Sequence, residues 1–409
     1  MTHRVVVTSM AGITSLGTDV EQVFSALKSR QNAVQRMQDW RIYDGLKTQL
    51  AAPINDFSLP SHYTRKKIRS MSRVSKLATR ATELALSANG LLDEAALTDG
   101  STGISYGSCS GSTTEGNAFT TLLRDHSTRE MDANTYVKMM SHSAAVNAGL
   151  FFGLRGRVIP TSSACTSSSQ GIGYGYEAIK YGQQLAMVCG GAEELCPTQS
   201  AVFDTLFATS QKNDSPSLTP RPYDADRDGL VIGEGAGSFV LENLDFALAR
   251  GAKPIAELVG FATNCDAAHV TQPRAETMQK CIEMALANAN LPASAIGYVN
   301  GHGTATELGD IAETQATSAV FGNAMPISSL KSYFGHTLGA CGAIEAWLTI
   351  EMMRRGWFAP TVNLDNIDPR CGELDYITAA GKAMDVEYVM SNNFAFGGIN
   401  TSLIFKRLD

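Results

Sequence analysis

The chain has 409 residues, a formal net charge of −7, 44% hydrophobic and 18% charged residues, a composition that fits a globular protein of two or three domains. The acidic balance disfavours nucleic acid or an acidic membrane as a general partner, and no run of about 18 apolar residues offers a membrane insertion. The opening MTHRVVVTSMAGITSLG reads as a strand and a Gly-punctuated loop, not a signal peptide, so the expected location is cytoplasmic.

After a strand at 5–8, six basic residues fall within twelve positions: Arg65, Lys66, Lys67, Arg69, Arg73 and Lys76. They read equally as a solvated helix face or as a docking patch for an acidic partner. A helix at 74–89 and a strand at 103–106 follow. Residues 157–159 form a short buried strand that runs into PTSSACTSSS at 160–169, and a helix continues to about Gly182. Further strands fall at 187–189 and 237–241. The intervening RPYDADRDGLVIGEGAG lacks the strand–G-x-G-x-x-G–helix context of a dinucleotide site, so Gly233, Gly235 and Gly237 are turn and close-packing residues. Strands at 256–263, 298–300, 388–391 and 402–405, with helices at 276–287 and 343–355, complete an α/β alternation.

A weak repeat runs through this pattern. Pro160-Thr-Ser-Ser, a small-residue loop, a helix and Gly182 return as Pro326-Ile-Ser-Ser, a loop around Gly335 and Gly339, a helix and Gly356. It implies two similar halves, 1–253 and 254–409, with the second loop facing the first and His336 brought towards Cys165.

The eight cysteines form neither C-x-x-C pairs nor zinc-spaced clusters, and seven of them read as reduced and structural. Cys165 differs. A sharp strand-to-helix turn holds its side chain at a helix N-terminus, where positive partial charge favours a thiolate. The alternative is an ordinary buried thiol, which is what an isolated cysteine usually is. Three other stretches carry chemistry. In NGHGTATELGD, His302 lies between two glycines at a strand end. In KSYFGHTLGA, apolar flanks partly bury Lys331 and His336, and a buried lysine needs a counter-charge, for which Asp310, Glu313 and Glu345 are the candidates. In SNNFAFGGIN, a turn between strands exposes amides that suit an oxyanion hole and phenylalanines that shape a channel; the plainer reading is a hairpin turn.

Together, SSACTSSSQGI, CGGAEEL, RPYDADRDGLVIGEGAG, GHGTATELGD, KSYFGHTLGACGAIEA and NNFAFGGIN resemble the β-ketoacyl-[acyl carrier protein] synthases of the elongating type, in the thiolase-like superfamily. The resemblance spans essentially the whole chain. It implies a thiolase-like five-layer αβαβα sandwich of two pseudo-symmetric halves, and decarboxylative Claisen condensation of a Cys165-bound acyl chain with a malonyl carrier thioester. It further implies an oxyanion hole from the amides of Cys165 and Phe396, with His302 and His336 stabilising the enolate and Lys331 orienting them. Asp310, Glu313 and Glu345 would support the site, Thr304 and Thr306 hold the phosphopantetheine arm, and Phe394 and Phe396 gate it. Arg65, Lys66, Lys67 and Arg69 would dock the acidic acyl carrier protein. No metal or other cofactor is implied. The partner is a second copy or a homologous chain-length-factor-like subunit.

Rivals are weaker. A thiolase would carry a second reactive cysteine where this chain reads FAFGGIN, and an initiating synthase would offer Asn where His336 stands. A non-catalytic chain-length factor would lack Cys165, and a cysteine hydrolase would not need Lys331, a second histidine and the threonine pair. Ala395, Ile399 and Cys341 depart from the elongating pattern, where glycine, threonine and a smaller apolar residue are usual. They point towards a specialised polyene or aryl-polyene type of pathway.

Overall fold

The computed structural model describes residues 2–408. Eleven strands follow one another edge to edge: β1 (Val5–Thr14), β2 (Thr102–Gly107), β3 (Val158–Thr161), β4 (Ala186–Glu193), β5 (Gly235–Asn243), β6 (Ala256–Cys265), β7 (Ile296–Asn300), β8 (Pro326–Ser328), β9 (Asp375–Tyr376), β10 (Tyr388–Phe394) and β11 (Ile399–Arg407). Their spatial order is β9-β8-β7-β10-β11-β6-β1-β5-β4-β2-β3. The row breaks naturally between β6 and β1, which share only the pairs Val6↔Glu257 and Val7↔Ala256.

The two sides of that seam repeat each other. From β1 outward, the pairings through β5, β4, β2 and β3 run antiparallel, antiparallel, parallel, parallel. From β6 outward, those through β11, β10, β7 and β8 run in the same succession. Parallel neighbours need crossover helices, and these supply the layers. The helices used below are α1 (Arg65–Ile68), α2 (Arg73–Ala88), α3 (Ser143–Phe152), α4 (Ser167–Lys180), α5 (Pro197–Thr205), α6 (Ala275–Ala289), α7 (Glu307–Phe321), α8 (Lys331–Phe334) and α9 (Cys341–Arg355). Helices α2 and α3 cover the outer face of the first sheet, α6 that of the second, and α4 and α9 lie between the sheets. This is the expected five-layer thiolase-like sandwich.

The central helices explain their own sequences. Residues 341–353 of α9 are buried without interruption, so the helix is apolar on nearly every side. The core it shares with α4 draws Ile172, Tyr176 and Ile179 from one helix and Ile344, Trp347 and Leu348 from the other, with Phe239, Phe261, Leu403 and Phe405 from the sheets. Gly237 answers its expected packing role, since a Cβ there would meet Ala343 at 2.8 Å.

Two expectations need correction. The strand before the nucleophile is not buried: β3 is the outer edge of its sheet, paired on one side only, and Val158 is 48% exposed. The opening strand does not stop at Thr8. A bulge between Val7 and Ser9 carries it on to Thr14, and Gly12 continues the strand because a Cβ there would lie 2.1 Å from the Trp347 ring. Among the described residues, no helix is long and apolar enough to cross a membrane.

Candidate active site

Cys165 lies in the turn between β3 and α4. The turn is tight enough to hold Ala164 at φ +51°, and the serines around it serve as its fasteners. Ser167 Oγ accepts the Ser163 amide at 2.9 Å and donates to the Ala164 carbonyl at 2.7 Å, while Thr161 Oγ1 donates to the Ser167 carbonyl at 2.7 Å. The result leaves Cys165 only 4% exposed, with its own amide and that of Phe396 both directed at the sulfur.

The expected thiolate is not the resting form. Burial pushes the Cys165 thiol up to about 11, and the Lys331 charge and the two amides only partly counter this. A short helix terminus does not offset full desolvation of a charged sulfur.

His336 reaches the cysteine as the repeat predicts, its Nε2 standing 3.0 Å from Cys165 Sγ. Its loop is pinned to the Gly-rich segment of the first half: the His336 amide donates to the Val231 carbonyl at 2.7 Å and Gly233 donates to the His336 carbonyl at 2.9 Å. His302 sits with its ring centroid 5.2 Å from that of His336, almost perpendicular. Burial and the nearby Lys331 hold both imidazoles well below their ordinary range, so both are neutral.

Their tautomers follow from their neighbours. The Lys331 ammonium, a donor with no acceptor capacity, stands 3.1 Å from His302 Nδ1. The Leu338 amide donates to His336 Nδ1 at 3.2 Å. Both Nδ1 atoms are therefore acceptors, and both protons sit on Nε2.

The counter-charge of Lys331 is Glu345, in direct contact with Nζ. Burial works against the ammonium, yet Glu345 keeps the Lys331 pKa above its usual value. The other two candidates do different work. Glu313 accepts the amides of His302 and Gly303 at 2.5 and 2.7 Å. Asp310 accepts those of Tyr223 and Ala305 at 2.7 and 3.1 Å and lies 3.6 Å from Arg227. Burial raises these carboxyls to about 7 and about 6. They shape the His302 loop and do not pair with the lysine.

A cavity of about 400 Å³ leads from the surface to Cys165, His302 and His336. Thr304 and Thr306 form part of its wall, their hydroxyls 2.9 Å apart. Phe394 and Phe396 also line it. The Phe394 ring lies 6.5 Å from His302 and the Phe396 ring 5.2 Å from Phe203. Arg65, Lys66, Lys67 and Arg69 are exposed on and beside α1, with Lys67 5.0 Å over the Phe151 ring. Arg73 leaves the basic cluster to bind Glu234 at 2.7 and 2.8 Å.

Sequence reasoning missed Asn393. Its Nδ2 donates to Glu345 Oε2 at 2.7 Å and lies 3.3 Å from His302 Nδ1, and its Oδ1 accepts from Ser169 Oγ. Two adjacent asparagines inside a strand were the available signal. The three departures noted above converge: Cys341 and Ala395, with Ile399, pack in one cluster with Cys165. Cys165, His302 and His336 also offer three donor atoms within 4.8 Å of one another, but an ammonium 3.1 Å from His302 opposes a resident cation.

The β-ketoacyl synthase N-terminal domain model matches residues 2–247, and the C-terminal domain model matches residues 255–365. The chain belongs to the β-ketoacyl synthase family. It is 35% identical to the 3-oxoacyl-[acyl-carrier-protein] synthase 2 of Vibrio harveyi, with 99% of each chain covered. A solved β-ketoacyl synthase from Burkholderia phymatum STM815 superposes with a TM-score of 0.98 at 57% identity, covering 100% of both chains. The ketosynthase ApeO, solved in complex with its chain length factor ApeC from Xenorhabdus doucetiae, gives 0.84 at 26% identity over 99% of this chain and 98% of that one.

Proposed function

We propose that the chain carries out decarboxylative condensation: an acyl chain held on Cys165 joins malonyl-[acyl carrier protein] to give a 3-oxoacyl thioester two carbons longer. The observation that carries this reading is the convergence of two neutral imidazoles, each with its proton on Nε2, on one buried thiol. In the first half-reaction Cys165 Sγ attacks the carrier thioester, its proton passes to the departing pantetheine sulfur, and the amides of Cys165 and Phe396 receive the oxyanion. In the second, the malonyl carboxylate leaves as carbon dioxide. The electron pair moves onto the thioester as an enolate, which attacks the Cys165 acyl carbon and expels the cysteine sulfur. His302 and His336 Nε2–H donate to the enolate oxygen, and a donor aimed at developing charge contributes about 3–4 kcal/mol.

The remaining assignments follow the same reading. Thr304 and Thr306 hydrogen-bond the pantetheine arm, Phe394 and Phe396 gate the inner cavity, and Arg65, Lys66, Lys67 and Arg69 meet the acidic carrier. Residues 1–253 and 254–409 are the two halves, and the enzyme works in the cytoplasm. The cluster of Cys341, Ala395 and Ile399 around the nucleophile favours a specialised pathway, in which a chain-length-factor-like partner replaces the second copy. Full elongation of ordinary saturated acyl carriers by the chain alone would count against that refinement.

Two variants test the chemistry. Cys165→Ala should take up no acyl group from an acyl carrier protein. His336→Ala should still be acylated, by intact mass, yet form no 3-oxoacyl product. Full condensation by the His336 variant would remove that residue from the mechanism.

A further inference from the structure

The segment RPYDADRDG at 221–229 lies between β4 and β5 of the first sheet, yet it reaches the loop that follows β7 in the second. Within it the Arg227 side chain is 2% exposed, and all three guanidinium nitrogens are used. Nε donates to the Thr306 carbonyl at 3.3 Å, and one terminal nitrogen donates to the Glu307 carbonyl at 3.0 Å. The other terminal nitrogen donates to the Asp224 carbonyl and to Asp368 Oδ2, both at 2.7 Å. Asp310 Oδ2 lies 3.6 Å from Nε.

The place is a poor one for a cation. Thr306 and Glu307 open α7, and the N-terminal end of a helix disfavours positive charge. A buried ion pair also adds little net stability over apolar packing. What a guanidinium supplies here is a rigid planar fork that fixes several acceptors at once.

Those acceptors lead to the threonine pair. Asp310 Oδ2 accepts the Tyr223 amide at 2.7 Å, and its Oδ1 accepts the Ala305 amide at 3.1 Å. Ala305 is held at φ +63°, a costly conformation for a residue with a Cβ. It is flanked by Thr304 and Thr306, whose hydroxyls stand 2.9 Å apart on the cavity wall. His302 is fixed separately, by Glu313 through the amides of His302 and Gly303. The loop therefore has two anchors, one for the imidazole and one for the threonines.

We propose that Arg227 is the positioning residue for Thr304 and Thr306. Acting through Asp310 and through the Thr306 and Glu307 carbonyls, it sets the Ala305 turn and with it the grip on the pantetheine arm, without entering the chemistry at Cys165. The inference rests on the assignment of those threonines to the arm.

The test follows acylation of Cys165 by intact mass, with one acyl group delivered either on pantetheine or on ethanethiol, which has no arm. Arg227→Lys keeps the positive charge beside Asp310 and Asp368 but loses the fork. It should raise KM for the pantetheine thioester about tenfold, leave kcat within about twofold and leave the armless thioester unaffected. Asp368→Asn is isosteric and keeps the arginine, so it tests the same point should the lysine variant fail to fold. By weakening the charge-assisted bond that orients the guanidinium, it should raise the same KM about threefold. With Thr304→Ala and Thr306→Val already in place, Arg227→Lys should add less than about twofold, because nothing is left for it to position. A KM within about twofold of wild type in both single variants would overturn the assignment. So would a parallel loss with the armless thioester, or a full tenfold effect on the background without the threonines. Failure of the wild type to be acylated by either thioester would instead overturn the condensing reading on which the inference rests.

Discussion

At the scale of single residues, Cys165 has its sulfur buried, faces two amides and touches an imidazole whose proton already points at it. Because burial raises its pKa to about 11, the thiolate fraction should climb about tenfold per pH unit through the neutral and mildly alkaline range. Alkylation of Cys165 by iodoacetamide, followed by mass, should therefore rise between pH 7 and 9 without a plateau. Lys331→Met, which removes the lowering charge, should slow it at every pH. A plateau near pH 7 would mean a preformed thiolate. Asn393 belongs to the same network: it holds the Glu345 oxygen that Lys331 does not use. Asn393→Ala should cost about 1–3 kcal/mol in urea unfolding, the penalty of a buried acceptor losing its donor. It should reduce condensation more than acylation, and equal losses in both steps would leave Asn393 a purely structural group.

At the scale of elements, the strands and helices were legible because their periods are clean, and the loops of the site because each carries glycine beside a chemical residue. The approach of His336 to Cys165 was legible too, since the two Pro-x-Ser-Ser loops start equivalent crossovers in the two halves. What a sequence does not display is pairing across distance. Glu345, and not Asp310 or Glu313, neutralises Lys331 because the fold brings its carboxylate into contact with Nζ, and nothing in the spacing ranks the three. Likewise the 157–159 run reads as buried by composition, and only the sheet order reveals an edge. Packing between elements gives a direct test. A Cβ on Gly342 of α9 would lie 2.0 Å from Ser169 Oγ on α4 and 2.6 Å from Asn393 Oδ1. Gly342→Ala should destabilise by about 1–3 kcal/mol through overpacking, measured by denaturant unfolding, and should disturb condensation through Asn393. A neutral effect would mean that the two central helices separate easily.

At the scale of the whole molecule, the two halves are joined by buried polar groups as well as by the seam between sheets. Glu193, at the end of β4, accepts the Cys109 amide at 2.7 Å from its own half and the Gly339 amide at 3.1 Å from the other. Burial raises its carboxyl from 4.5 to about 7. A folded pKa above the unfolded one adds stability that is complete below about 4.5 and lost as pH rises through about 7. His302 and His336, held low, act in the opposite sense as pH falls below their ordinary range, so the wild-type profile alone is ambiguous. The comparison with Glu193→Gln isolates the carboxyl. The advantage of wild type over this variant should shrink as pH rises from about 5 to about 8, read from urea midpoints, and a constant difference would show that Glu193 titrates normally.

The most direct measurement loads wild-type chain with an acyl group from its carrier protein, maps the adduct by mass, and then adds malonyl carrier protein. The account predicts a thioester on Cys165 that disappears as carbon dioxide is released, with a carrier-bound 3-oxoacyl product two carbons longer. An adduct on another residue, or one on Cys165 that water removes without carbon–carbon bond formation, would contradict it.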